Sequence, residues 1–275
     1  MAATAEWVDI PFQLQSPYAT IDLNEPTGDR YLLIPSGCDM GAGLRVAKDD
    51  IPQFDGSILH RRWFQGYECR LSMMLWYNDS PACNEDLVRM VDTLNGICWS
   101  LRAAGDNEGR LIWEPSGEDT RMLDDIKLFE RLVFAAPDDG GATVASFAID
   151  TAYPYAQDIT EQMPNTLPNT LTNLGTAEYW PVFRVSGSNS FTITNVTTGL
   201  SIVFDSSLPG GIPIPGGSYV EIDTFRATAI INGDEDDALA SINMPMTDFF
   251  SLIVGANDLT LSSGSATVLW THAWA

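Results

Sequence analysis

The chain has 275 residues, enough for one large domain or two ordinary ones, and 45% of them are hydrophobic, which excludes a disordered polymer. Its formal net charge is −23, from 37 acidic against 14 basic residues. That balance excludes a protein that grips nucleic acid through a basic stripe, and it favours repulsion from DNA and anionic lipid.

In chain order, Tyr31-Leu-Leu-Ile34 predicts a short strand stopped by Pro35 and Gly37, and Met40-Gly-Ala-Gly43 reads as a loop. Tyr67–Tyr77 alternates and then turns continuously apolar, the pattern of a strand whose later part is buried on both faces. Leu87, Met90, Val91, Leu94, Cys98 and Leu101 recur at helical spacing, predicting a helix over about 84–104 with one apolar stripe. Ser80 or Asn84 can cap it and Gly105 can end it, while Gly96 weakens its middle by about 1 kcal/mol relative to Ala. Gly109–Trp113, Arg121–Lys127, Leu132–Ala135 and Thr143–Ile149 follow as strands, the last two joined through the hairpin signal Asp138-Asp-Gly-Gly141. Residues 1–156 therefore predict an antiparallel β-sandwich with one packed α-helix.

Residues 157–172 carry two prolines and many Asn and Thr without periodicity, which reads as an extended linker. Residues 173–275 read as a second domain, an almost purely β sandwich. Its strands are Val182–Val185, Ser190–Thr194, Leu200–Phe204, Tyr219–Ile222, Ala227–Ile231, Phe249–Val254, Leu259–Ser262 and Ala266–Thr271. The fold-making positions are Pro181 before the first strand and a corner at Asp223-Thr224, where a short Asp side chain can bond its own backbone two residues on. A hairpin is expected at Asn232-Gly233 and a turn at Gly255 with Asn257, and the terminal aromatic Trp270 closes the last strand.

The order Asn173-Leu-Gly175, Trp180-Pro181-Val-Phe-Arg-Val185, Asn195-Val-Thr-Thr-Gly199, Tyr219–Thr224, Ile231-Asn-Gly233, Phe250–Asn257 and Ala266–Trp270 resembles the galectin-like C-terminal domain of siphophage distal tail proteins. A looser resemblance in the first domain rests on Arg45, Asp50–Gly56, Arg61, Arg62, Arg70, the helix followed by Gly109–Trp113, and Thr151-Ala-Tyr-Pro-Tyr155. The resemblance implies a structural virion protein at the distal end of the phage tail, assembled in the host cytoplasm. It implies a homo-oligomer closing into a hexameric ring, with N-terminal domains forming the ring. The ring's partners would be the tail tube protein, the tail-tip hub and the tape measure protein, with DNA only in transit and no membrane insertion.

The residues themselves offer little chemistry. The two histidines, His60 and His272, lie in different regions, and no G-x-S-x-G elbow accompanies them, so no catalytic residue is assigned and an envelope hydrolase is the weakest reading. The four cysteines, Cys38, Cys69, Cys83 and Cys98, form no C-x-x-C pair and read as free, buried thiols in a reducing compartment. Gly233-Asp-Glu-Asp-Asp237 lacks the alternating ligands of a calcium loop, so neither metal nor cofactor is expected. No apolar run approaches the length of a membrane span, and the start Met1-Ala-Ala-Thr-Ala-Glu-Trp7 has no signal-peptide character. The alternative to a structural role is a carbohydrate-binding sandwich that contributes to host adsorption, for which Trp180, Trp270 and Trp274 are the available aromatic platforms.

Overall fold

The computed structural model describes residues 11–24, 31–50, 57–76, 83–103, 108–115, 120–135, 142–162, 165–232 and 237–275. Spatial proximity along the backbone divides the chain into two units, residues 1–159 with 275, and residues 160–274.

The first unit begins with β1 (Phe12–Gln15), β2 (Thr20–Leu23), β3 (Tyr31–Asp50) and β4 (Ser57–Trp76). Helix α1 (Cys83–Leu101) follows, then β5 (Arg110–Trp113), β6 (Arg121–Asp124), β7 (Lys127–Phe134), β8 (Ala142–Thr151) and β9 (Ala156–Asp158). One antiparallel sheet runs β9–β6–β5–β1–β2 and the other β3–β4–β8–β7. Alternation builds the second sheet: Cys69, Leu71, Met73 and Leu75 of β4 and Ala145, Phe147 and Ile149 of β8 are buried on one face. Helix α1 lies against β7 and β4 and buries Met90, Leu94, Ile97, Cys98 and Leu101. Val91, expected in that stripe, is half-buried, and Ile97 takes part in its place. Gly96 sits beneath the ring of Tyr18; a Cβ there would stand 2.3 Å from Tyr18 Cε1. Close packing thus explains a residue that helix propensity disfavours.

Two expectations for this unit are corrected. Tyr31–Ile34 is no short strand and Met40–Gly43 no loop, because Tyr31–Asp50 is one continuous strand. Its register against β4 shifts between Leu33 and Cys38, the stretch that holds Pro35 and Gly37. β3 lies at the sheet edge, where a missing proline N–H costs little and an irregularity absorbs unpaired residues. Conversely, Arg121–Lys127 is not one strand. Asp125 adopts φ 53, its N–H bonds Asp124 Oδ1 at 2.9 Å, and the chain leaves β6 to enter β7 in the other sheet. The turn expected at residues 138–141 lies outside the described residues, as do Ser80 and Gly105; the flanking β7 and β8 pair antiparallel.

The second unit is a sandwich of two antiparallel four-stranded sheets. Its strands are β10 (Asn169–Asn173), β11 (Val182–Ser186), β12 (Ser190–Asn195), β13 (Leu200–Asp205), β14 (Tyr219–Asp223), β15 (Thr228–Ile231), β16 (Gly255–Leu261) and β17 (Ser265–Leu269). One sheet runs β10–β16–β12–β13 and the other β15–β14–β11–β17. Inward residues alternate along each strand, and Phe191 stacks on Phe204 at 4.9 Å while Phe183 meets Phe250 edge-on at 5.7 Å. Three of the four edges, all but β10, are bonded by other segments of the unit's own chain. Asn243 and Asp248 donate to carbonyls of β13, Leu167 donates to Ala266 and Val268 to Asn165 along β17, and Ala238 donates to Ala229 on β15.

The linker is shorter than expected at both ends. β9 reaches Asp158, and from Gln162, whose N–H bonds Trp270 O at 2.8 Å, the chain is already tied to the sandwich. Pro168 is compatible with this because it stands at the start of the edge strand β10. Phe249–Val254 is not a strand either. It holds a single bridge, Leu252 to Tyr179, and its apolar character reflects Phe250 and Leu252 plugging the core.

Candidate functional site

Five of the expected fold-making residues, Pro181, Asp223, Thr224, Gly255 and Asn257, fall into two hydrogen-bonded groups of the sandwich. The first is the corner between β14 and β15. Asp223 Oδ1 accepts from the N–H groups of Phe225 and Arg226, both at 2.9 Å, and the turn closes with Ala227 at φ 54. Thr224 is buried, and its Oγ1 donates to Pro181 O at 2.7 Å. Pro181, Asp223 and Thr224 therefore meet at one point, tying the entry of β11 to the exit of β14. Trp180 covers it, half-buried, with its ring edge-on to Phe225 at 6.3 Å. At the far end of β15, Asn232 adopts φ 54; its Oδ1 accepts from Tyr219 N–H and its Nδ2 donates to Ser218 Oγ, each at 3.0 Å. Gly233 lies outside the described residues, and the chain returns beside β15 at Asp237.

The second group is a buried asparagine network. Asn257 stands inside β16, not in a loop. Its Oδ1 accepts from Ile253 N–H at 3.0 Å and from Asn195 Nδ2 at 3.2 Å, and its Nδ2 donates to Ile253 O at 2.9 Å and Gly255 O at 3.0 Å. The turn at Ile253–Gly255 is thus held from within the neighbouring strand, and Gly255, at φ 93, supplies the conformation a side chain would resist. Asn195 Oδ1 accepts from Thr197 and Thr198, closing the β12–β13 turn. Asn173 Nδ2 donates to Ala177 O, and its Oδ1 accepts from Gly175 N–H. Sequence reading passed over Asn173 and Asn195 as anchors; the signal was an Asn two or four residues before a Gly, as in Asn173-Leu-Gly175 and Asn195–Gly199.

The side chains that could have carried other chemistry are committed elsewhere. His272 is buried, its ring edge-on to Trp270 and Trp274, and its Nδ1 accepts from Leu174 N–H at 3.1 Å. Trp270 is 3% and Trp274 8% exposed, so neither offers an open platform to a sugar ring. On the outer face of the second sheet, Arg184 bonds Glu221 at 2.8 Å and lies over Tyr219, and the Glu221 bond holds the guanidinium pKa above its ordinary value. Among the described residues, no group of three or more His, Cys, Asp or Glu could hold a metal ion, and no helix is long and apolar enough to cross a membrane. What this arrangement does is fix turns and strand ends, so that a small rigid body presents constant surfaces.

Residues 174–274 match the family model of the siphovirus-type tail component, C-terminal domain. The C-terminal domain belongs to this family. The match ends where the second unit ends and takes in the Pro181 corner, Asn195 and Asn257, while β10 and Asn173 precede it, and the chain is accordingly a structural phage tail protein of the distal tail kind. The fold as a whole is similar to the crystal structure of the SPP1 Dit protein, a paradigm of the hub adsorption apparatus in phages that infect Gram-positive hosts. That likeness has a TM-score of 0.56 at 14% identity and covers 96% of this chain and 99% of that one. A chain of the phage P2 baseplate in its activated conformation with calcium aligns with a TM-score of 0.48 at 9% identity, over 96% of this tail component and 98% of that chain. No curated protein matches the sequence.

Proposed function

We propose that the chain closes with copies of itself into a distal tail ring, which joins the tail tube to the tail-tip hub and lets DNA pass through its centre. The observation that carries this is the pairing of the family-matched sandwich with a β-rich first unit in a fold that aligns along 96% of its length with a tail hub protein. A closed ring requires a heterologous interface, in which one patch meets a different patch on the next copy. Six copies, contact with the tape measure protein and assembly in the host cytoplasm belong to the same proposal. The net charge of −23 supports the conduit, since an acidic wall repels phosphates and a passage must not hold what passes. Turns and strand ends fixed by buried amides suit a part that carries load between other parts; no step of the proposal involves catalysis.

The test is the mass of the purified full chain by light scattering, followed by negative-stain imaging of the chain alone and mixed with its tail tube protein. A closed ring with a central opening, capping the end of the tube, is expected. A chain that stays monomeric both alone and with the tube protein would overturn the proposal.

A further inference from the structure

One edge of the sandwich differs from the other three. Among the described residues, no backbone bond from outside the β10–β16 ladder reaches Asn169–Asn173. The N–H of Thr170 instead bonds the side chain of its own neighbour, Asn169 Oδ1, at 2.8 Å, and so points away from β16. Backbone groups of alternate residues in an antiparallel strand share a direction, so Thr172 turns its N–H and C=O the same way. The outer side of β10 thus presents a row of backbone donors and acceptors, one of them held by an amide that an incoming carbonyl can displace. Exposed edges are ordinarily guarded by charge, proline or a bulge. Within its bounds β10 has none of these: Asn-Thr-Leu-Thr-Asn is uncharged, its register with β16 is unbroken, and Pro168 stands before it.

An apolar cluster lies at one end of this edge. Asn173 stands opposite Gly255, so Leu174 and Val254 follow at the same end of the ladder. Leu174 is 72% exposed, Val254 52% and Ile253 39%. Asn257 bonds both the N–H and the C=O of Ile253 from within β16, which keeps the cluster in place. A row of backbone groups fits one kind of partner, an extended strand, and the aliphatic cluster fits an apolar side chain on that strand. Two copies pairing β10 with β10 antiparallel would set Leu174 of each beside the Asn169 end of the other and leave both clusters uncovered, so the strand comes from a different chain. We infer that β10 takes an extended segment of another tail protein as a further strand of its sheet, with an apolar residue of that segment against Leu174 and Val254. The inference gives the second unit a partner of its own and does not depend on the ring.

The test compares amide hydrogen exchange of the full chain in purified virions and as isolated protein. The amides of Thr170 and Thr172 are expected to exchange about tenfold or more slowly in the virion. A photo-crosslinking residue at Thr172 is expected to mark one segment of a different tail protein, and a synthetic peptide of that segment to bind the isolated chain. Thr172→Pro removes an outward N–H and Leu174→Asp charges the cluster; each is expected to weaken peptide binding about tenfold or more, while Thr172→Val keeps it within about twofold. Leu174 is exposed, so its substitution tests the site even where proline disturbs folding. Equal exchange in virion and isolated protein, or crosslinks to no chain but this one, would overturn the inference. A ring that forms while the β10 amides stay unprotected in the virion overturns the docked strand alone; a chain that binds the peptide yet forms no ring with or without the tube protein overturns the ring alone.

Discussion

Asn257 and Asp223 show how differently two turn-holding residues can weigh. Asn257 is fully buried and all four hydrogen-bonding positions of its amide are used, on Ile253, Gly255 and Asn195. Removing it takes partners from the half-buried backbone of Ile253 and Gly255 and from the buried Asn195 amide, and a polar group left unsatisfied away from water costs about 1–3 kcal/mol. Asp223 accepts two bonds at a corner where water can replace it. Asn257→Ala is therefore expected to lower stability by about 3 kcal/mol, and Asp223→Ala by about 1 kcal/mol. Urea unfolding of the full chain, followed by tryptophan fluorescence, measures both; equal losses would show that burial of the network is not what makes it costly. Asn195→Ala should cost less on top of Asn257→Ala than alone, because the two amides bond each other at 3.2 Å.

At the scale of elements, helix α1 carries a thiol whose titration reports its packing. Cys98 faces the sheet, and burial pushes its pKa from 9.0 up to about 12. Below the ordinary value both folded and unfolded chains keep the proton and stability does not depend on this group. Between about 9 and 12 the unfolded chain releases the proton while the folded chain holds it, so stability falls as pH rises through that window. Denaturant midpoints compared near pH 8 and pH 11 are expected to fall less in Cys98→Ala than in the unaltered chain, and the native thiol should resist a thiol reagent until unfolding. Rapid labelling of Cys98 in the native state would mean that α1 does not stay on its sheet. The helix was legible because four turns of apolar spacing leave no other reading. β1 and β2 were not, although Phe12-Gln-Leu-Gln15 and Thr20-Ile-Asp-Leu23 alternate, because four residues are too few to separate a strand from chance. The length of β3 was hidden by Pro35 and by Gly41 and Gly43, which punctuate a local reading but are tolerated on an edge that pairs on one side only. In the sandwich the turn residues stood out one by one, Asp223, Asn232 and Gly255 among them. Their convergence did not, since Pro181 and Thr224 are separated by forty-three positions and meet only through the pairing of β11 with β14.

For the whole molecule, the central question is where self-association resides and where independent folding does. The sandwich has a continuous core from Leu171 to Trp270, to which β-strands of both its sheets contribute. The edges β13, β15 and β17 are each bonded by segments of the same unit, through Asn243 and Asp248, Ala238, and Asn165 and Leu167. With three of its four edges bonded from within and the fourth, β10, only five residues long, this body does not call for a second copy. The first unit contrasts with it, having a sheet whose border strands are β3 and β7 and in which Leu44–Asp50 of β3 pairs only with Ser57–Phe64 of β4. We therefore expect a fragment of residues 160–275 to fold alone as a monomer with one cooperative thermal transition, and ring formation to require residues 1–159. Light scattering and circular dichroism on the fragment, beside the full chain at equal concentration, decide this. A fragment that self-associates as strongly as the full chain would move the interface into the sandwich. A fragment that stays unfolded would mean that the contacts between Gln162 and Trp270 do not suffice to hold the sandwich closed.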